Sequence, residues 1–292
     1  MSAPRVAVIG DVMLDIIVQP TGAISPASDT PSHVRLARGG AGANLAVALV
    51  TSGCEAVFLG AAGDDVARQI FLDALDSSGV TPHLEQVDAE TGTVVALVDD
   101  AGQRSMLTDR GANSLLSTAF VLDQLAAPFD HVHVSGYLVL DPATRDVATA
   151  ALRDARERGR STSIDVCSVA PLRAMSRATF IETAALAEQF FSNEDEALNL
   201  TASEDVEVAL KQLAEIFREV VVTRGALGAL GDVEGRRFDA EALATTVIDT
   251  TGAGDAAAGA YLGARLQGSD PQSALASAMA ASARVVSGFG AG

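Results

Sequence analysis

Asp249-Thr-Thr-Gly252-Ala-Gly254-Asp255-Ala-Ala-Ala-Gly259 is the stretch on which the reading of this chain turns. It lies between a short β-branched run, Thr245 to Ile248, read as a strand, and an alanine-rich segment, Ala253 to Leu266, read as a helix. Small residues at 252 to 254 let the backbone turn tightly at the helix start, so unpaired N–H groups and the positive end of the helix dipole face outward together. Such a place binds a phosphate. Asp255 in the first turn repels what those N–H groups attract, which makes sense for a base that must touch an attacking hydroxyl and take its proton. An aspartate there also stabilises a helix with no chemistry at all. The motif by itself leaves cap and catalyst evenly balanced. Its glycine spacing touches the dinucleotide-binding fingerprint of a nicotinamide-dependent oxidoreductase, but the segment after Asp255 is too short and too helical for a second strand with an acidic ribose ligand.

Outward from this motif, β-rich runs alternate with helical patterns, as in βαβ units wound into a mainly parallel sheet. Strands are expected at Val6 to Ile9, Ala56 to Leu59, His131 to Val134, Thr162 to Asp165, Gln189 to Ser192 and Val220 to Thr223. Helices are expected at Ala43 to Ser52, Asp64 to Ser77, Pro142 to Arg158, Ser203 to Phe217, Ala253 to Leu266 and Pro271 to Val286. Two regions break the rhythm. Residues 15–38 hold strand-like Ile16 to Val18 and His33 to Leu36, and residues 93–109 read as a hairpin, Val94 to Val98 and Arg104 to Thr108, turned at Asp99 to Gly102. Strands without intervening helices suggest a separate small sheet that acts as a lid.

Composition narrows the function. The formal charge of −18 would repel a nucleic-acid backbone, and an aromatic content of 4% with no Trp leaves few stacking platforms for single strands. Lys211 is the single lysine and lies in a helix-like run, which sets aside both a Walker-type phosphate loop and a Schiff-base mechanism. Cys54 and Cys167 are too far apart in sequence, and too isolated from histidines, to suggest a disulfide framework or a zinc site. No basic leader and no apolar stretch of about 18 residues is visible, so a soluble cytoplasmic protein without membrane contact is expected.

A second glycine cluster, Arg38-Gly39-Gly40-Ala-Gly42-Ala-Asn44, opens the helix at Ala43. With Gly10-Asp11-Val-Met-Leu-Asp15 after the first strand, it puts two carboxylates and an amide near the strand ends, where open α/β sheets bind ligands. Gly39-Gly40 to Asn44 and Asp249 to Asp255 together resemble the two signatures of the PfkB, or ribokinase, family of carbohydrate kinases. Gly111-Ala-Asn113, Asn193-Glu-Asp-Glu196 and Thr223-Arg-Gly225 to Gly228 fall in order between them, so the resemblance spans nearly the whole chain.

The resemblance implies a three-layer α/β ribokinase-like fold as one domain over residues 1–292, with a lid from about 12–38 and 92–110. It implies an ATP- and Mg²⁺-dependent kinase acting on a hydroxyl of a sugar or sugar derivative. Asp255 is then the base, and Gly252, Ala253 and Gly254 form the anion hole. Glu196 helps hold Mg²⁺ through water, although its position reads equally as a solvated helix face. Asn193, Thr223, Gly225 and Gly228 meet the nucleotide. Asp11, Asp15, Gly39, Gly40, Asn44 and Asp165 fall to the acceptor side. Arg110 either meets an anionic substrate or phosphate, or pairs with a nearby acid. Asp249 and Thr251 match part of a monovalent-cation site, for K⁺, found in some members. Ribokinase-like sequences carry Asn in place of Met13, Lys in place of Ala41 and a glutamate near the position of Gly136-Tyr137; these departures count against a ribose-specific pocket and open the alternative of a bulkier or more apolar acceptor such as a nucleoside. An open lid edge invites a homodimer. A non-catalytic sugar- or nucleotide-binding regulator on the same scaffold is the alternative of another class.

Overall fold

The computed structural model describes residues 2–99 and 104–288. In chain order its elements begin β1 (Arg5–Ile9), β2 (Met13–Pro20), β3 (Ser32–Gly39), α1 (Ala41–Thr51), β4 (Glu55–Ala62), α2 (Val66–Ser77), β5 (Thr81–Gln86), β6 (Gly92–Val98) and β7 (Arg104–Asp109). Next come α3 (Thr118–Gln124), β8 (His131–Val134), α4 (Tyr137–Leu140), α5 (Arg145–Glu157), β9 (Ser161–Asp165), α6 (Val169–Ala174), α7 (Arg177–Ala184) and β10 (Gln189–Asn193). The last are α8 (Glu194–Thr201), α9 (Val206–Ala214), β11 (Glu219–Thr223), β12 (Ala229–Val233), β13 (Arg236–Ala240), α10 (Ala253–Leu266) and α11 (Pro271–Val286).

The main sheet runs β13-β12-β11-β10-β9-β8-β1-β4-β5, parallel from β11 to β5 and antiparallel at the β11-β12-β13 end. Its central strands are apolar on both faces because helices cover both, so alternation disappears from their sequences. Ile9, Leu59, Val132, Val134 and Ile164 pack with Leu138, Leu152 and Leu210 on the face covered by α3 to α9. Val6, Val8 and Phe58 pack with Leu45, Leu49, Tyr261 and Leu275 on the face of α1, α2, α10 and α11. The few aromatics serve this core: Phe58, Phe71, Phe180, Phe190 and Tyr261 are fully buried. The chain leaves β1 for β4 on one side and returns at β8 on the other, so the carboxyl ends of β1, β8, β9, β10 and β11 flank a switch in strand order where such sheets hold ligands.

The second sheet runs β3-β2-β6-β7, with β2 and β6 parallel and the outer pairs antiparallel. The register puts Asp15 beside Val94 and Thr108, and Ile17 beside Ala96 and Met106, on one face. Ile16, Leu36, Val95 and Leu107 line up on the other.

Some expectations need correction. Thr245 to Ile248 is irregular, not a strand: Val247 and Ile248 are 62% and 47% exposed, and the Ile248 N–H donates to the Val286 carbonyl at 2.7 Å instead of a neighbouring strand. The helix sought from Asp64 begins at Val66, because the Asp65 carboxylate caps it by accepting from the Arg68 N–H. The helix sought over 203–217 is confined to α9, after the Asp205 cap. β5, β12 and β13 were not anticipated. The turn at Asp99 to Gly102 lies, beyond Asp99, outside the described residues. No helix among the described residues is long and apolar enough to cross a membrane.

Candidate active site

The glycine turn before α10 behaves as its composition requires. Gly252 adopts φ +74°, a left-handed conformation that other residues enter at a cost, and it gives the helix no side-chain cap. The Ala253 N–H leans back to the Thr250 carbonyl at 3.3 Å, while those of Gly252, Gly254 and Asp255 donate to no described backbone or side-chain acceptor. The donors left for an anion are therefore Gly252, Gly254 and the amide of Asp255 itself.

The Asp255 carboxylate does not cap its own helix. Its Oδ2 accepts from Asn44 Nδ2 of α1 at 2.8 Å, and Asn44 Oδ1 accepts from Arg38 Nη1 at 2.7 Å. This relay fixes which way the Asn44 amide faces and orients the Asp255 carboxylate. Burial pushes the Asp255 carboxyl up to about 7; the Asn44 hydrogen bond lowers it, Asp165 raises it further, and Arg38 lowers it. Arg38, buried with Nη2 unpartnered among the described residues, was seen in the sequence only as the lead-in to the glycines. No spacing rule would have picked it out. Gly40 needs φ +95°, and a Cβ there would lie 2.3 Å from the Asp11 carbonyl oxygen. Gly39 lies against the Asp15 carboxylate and supports it from behind.

Three cavities adjoin in series at the start of α10, and Asp255 lines two of them. The first, about 720 Å³, lies between the small sheet and the strand ends, and its lining includes Asp11, Asp15, Gly40, Asn44, Arg110 and Asp255. Asp15 stands in it without a hydrogen-bond partner among the described contacts, and burial pushes its carboxyl up to about 6 against the pull of Arg38 and Arg104. Arg110 reaches both oxygens of Asp11, at 3.0 and 2.6 Å, and also ion-pairs with Asp141. The second cavity, about 190 Å³, is lined by Asp165, Asn193, Glu196, Thr223, Gly254 and Asp255. The third, about 480 Å³ and largely apolar, takes in Thr223, Gly225, Gly228, Leu243, Gly254, Met279 and Val286. Asp255 links the first to the second, and Gly254 with Thr223 links the second to the third.

Asp165, assigned from sequence to the acceptor side, belongs to the middle cavity, with Oδ1 accepting from the Gly136 N–H at 2.7 Å. Asn193 and Glu196 form a reciprocal capping box at the start of α8, each bond 2.9 Å, so the helix-face reading of Glu196 gives way to a buried one. Burial pushes Glu196 up to about 7, the Asn193 backbone N–H lowering it and Asp165 and Asp255 raising it. No group of three or more His, Cys, Asp or Glu able to hold a metal occurs among the described residues. A carboxylate at such a cavity, here Glu196, suits Mg²⁺, which keeps several waters and takes further ligands from substrate phosphates. Asp249 and Thr251 are brought together, the Thr251 N–H donating to Asp249 Oδ1 at 2.9 Å. The Asp249 carboxylate and Thr251 hydroxyl are also engaged by Arg104 of β7, so a monovalent cation at those oxygens would compete with a guanidinium from the small sheet. Sequence reasoning missed Arg104, since nothing local marks a contact across about 145 residues.

A sequence profile for the pfkB family of carbohydrate kinases matches residues 3–292. A fructokinase of Vibrio alginolyticus is 30% identical over 266 residues, covering 88% of this chain and 83% of its own. Among solved structures, an adenosine kinase from Sinorhizobium meliloti superposes with a TM-score of 0.89 at 25% identity, covering 100% of this chain and 96% of its own. A fructokinase from Vibrio cholerae O395, bound to fructose, ADP and a calcium ion, superposes at 0.82 with 26% identity, covering 100% and 95%.

Proposed function

This chain belongs to the pfkB family of carbohydrate kinases, ATP-dependent phosphotransferases, and from that footing we propose how its own residues carry the reaction. The acceptor, a sugar or sugar derivative, lies in the cavity under the small sheet, with hydroxyls held by Asp15 and Asn44. ATP lies along the apolar cavity lined by Gly225, Gly228 and Met279, its phosphates directed past Thr223 and Asn193 into the middle cavity. Glu196 holds Mg²⁺ there through water, and when bound the ion neutralises phosphate charge.

Asp255 accepts the proton of the acceptor hydroxyl as its oxygen approaches the γ-phosphorus, and the free N–H groups at 252, 254 and 255 stabilise charge on the transferring group. The observation that carries this reading is the place of Asp255, at the junction of acceptor and phosphate cavities and hydrogen-bonded away from its own helix. The small sheet acts as a lid: Arg104 ties it to the phosphate-binding turn, and closure keeps out water that would otherwise take the phosphate.

An ADP-release assay over pentoses, hexoses, sugar acids and nucleosides tests the reaction. Turnover that requires both an acceptor and Mg²⁺ supports it; ATP hydrolysis indifferent to every acceptor, or no ATP use at all, refutes it.

The outer face of the lid sheet exposes Val34, Leu36 and Leu107 at 61%, 51% and 59%, beside Ile16 and Val95. A contiguous apolar face of this kind is where a second copy would pack, giving a homodimer. Light scattering that finds only monomer at assay concentrations removes the dimer. The protein is assigned to the cytoplasm, where ATP is plentiful and its free cysteines stay reduced.

A further inference from the structure

The charge arrangement of the acceptor cavity says what kind of acceptor it takes, an inference that rests on the phosphotransfer reading. Arg110 is the one cationic residue in its described lining, against Asp11, Asp15, Asp141 and Asp255, while Arg38 and Arg104 lie outside that lining on the Asp15 side. Three of the five guanidinium N–H donors of Arg110, one on each nitrogen, are already committed to carboxylates. Nε and Nη2 hold the two oxygens of Asp11, and Nη1 holds Asp141, whose other partners are the Ser114 hydroxyl at 2.8 Å and the Ala143 N–H at 2.9 Å. Asp11 is 5% exposed, so turning Arg110 toward an incoming anion would strand a buried carboxylate, the costly way to break such a pair. The remaining free carboxylate, Asp15, accepts hydroxyl hydrogens and repels negative charge.

Size and polarity add a second constraint. The cavity holds about 720 Å³. A pentose of ~10 heavy atoms occupies roughly 300 Å³ even at the about 30 Å³ that liquid water takes per molecule. Besides Asp15 and Asn44, the lining includes Met13, Val94 and Met106 of the lid sheet and Leu140 and Pro171. Thioethers and aliphatic carbons of this kind favour a flat, weakly polar ring.

We propose that the acceptor is an uncharged nucleoside, and that Asp11 and Asp141, by neutralising Arg110, act as a charge filter against sugar phosphates and sugar acids. The ribose lies on Asp15 and Asn44, and the heterocycle lies against Met13, Val94 and Met106. The nucleoside hydroxyl oxygen forms a bond to the γ-phosphorus, the bond from that phosphorus to the β–γ bridging oxygen breaks, and the hydroxyl proton passes to Asp255. The products are a nucleoside monophosphate and ADP.

Ribose 1-phosphate and a set of nucleosides share the same free 5′ hydroxyl and differ in what C1 carries, so they separate charge from shape. The filter predicts kcat/KM for the best nucleoside at least 100-fold above that for ribose 1-phosphate, with gluconate and other sugar acids inert. A phosphorylated sugar or sugar acid used as well as any nucleoside overturns it. Asp141→Ala should narrow the nucleoside-to-ribose-1-phosphate ratio about tenfold by releasing one arm of Arg110. If both rates fall together with the ratio unchanged, Asp141 is only structural and the filter is refuted. The same ligands are titrated calorimetrically into Asp255→Asn protein. Charge-selective nucleoside binding with no turnover by the wild type would sink the phosphotransfer reading, and with it the acceptor role, while leaving the charge filter standing; no nucleoside binding would sink the filter and the nucleoside assignment alone.

Discussion

Replacing Asp255 by Asn distinguishes a base from a helix cap, because the two roles predict opposite changes in stability. The substitution is nearly isosteric, and its carbonyl oxygen can still accept from Asn44 Nδ2, as Oδ2 does at 2.8 Å. Burial lifts the carboxyl from 3.8 to about 7, so the unfolded chain releases this proton first. Ionisation therefore works against folding: the penalty begins above about pH 4, grows to pH 7, and is complete above it. At 1.36 kcal/mol per pH unit, a displacement of this size withholds up to ~4 kcal/mol from the folded state. Water reaching the partly exposed side chain reduces that to about 1–2 kcal/mol. Asp255→Asn should thus be as stable as the parent or more so at pH 8 by urea denaturation, and no different at pH 4. Its turnover should fall about 10² to 10⁴-fold, or ~3 to 5 kcal/mol in the barrier, with ATP affinity kept. Wild-type kcat/KM should rise with pH and level off above about 7, and the variant's residual rate should lack that step. A variant that is less stable by about 1 kcal/mol at pH 8 and retains near-normal turnover would make Asp255 a cap and move the base elsewhere.

Other residues give independent tests. Gly40→Ala must place a Cβ 2.3 Å from the Asp11 carbonyl at φ +95°, and should lose about 2–4 kcal/mol in chemical denaturation; an unchanged midpoint would mean the turn is relaxed. Glu196→Gln can still accept from the Asn193 N–H, so stability should change by less than about 1 kcal/mol. Its half-saturating Mg²⁺ concentration should nevertheless rise several-fold in the ADP-release assay, and an unaltered Mg²⁺ curve removes Glu196 from the metal site. Arg104→Ala frees Asp249 and Thr251 from the lid arginine, so kcat should fall about tenfold and K⁺ should stimulate the variant more than the parent, each compared with tetramethylammonium. Equal responses would mean that the arginine and a cation do not compete.

The residues show why some of this was legible in sequence and some was not. Ala253–Leu266 and Pro271–Val286 begin and end where the sequence reading put them, since helix periodicity, Gly252 and the Asp270-Pro271 start are local signals. Asp11 and Asp15 were legible because they follow a strand in an alternating α/β chain, whereas Asn193, Glu196 and Thr223, after β10 and in β11, came only with the family resemblance. Thr245 to Ile248 failed because β propensity describes a fit to a half-buried pleated surface, and beyond β13 no strand offers one. β5 was hidden because Thr81-Pro82-His83 lacks the apolar run of a central strand, which an outermost strand does not need. Arg104 acquires its role only when β7 is folded against the Asp249 turn, and Arg38, although six residues from Asn44, acquires its own only when Asn44 meets Asp255 from across the chain.

Phosphotransfer through Asp255 requires it to face both a bound acceptor and the end of a triphosphate. The decisive experiment is a structure of the enzyme with ADP, Mg²⁺ and an acceptor identified by turnover. One acceptor hydroxyl should lie about 2.6–3.2 Å from the Asp255 carboxylate, with the N–H groups of Gly252 and Gly254 turned toward the space between that hydroxyl and the β-phosphate. An acceptor bound elsewhere, or an Asp255 carboxylate directed away from it in the closed complex, would rule this out.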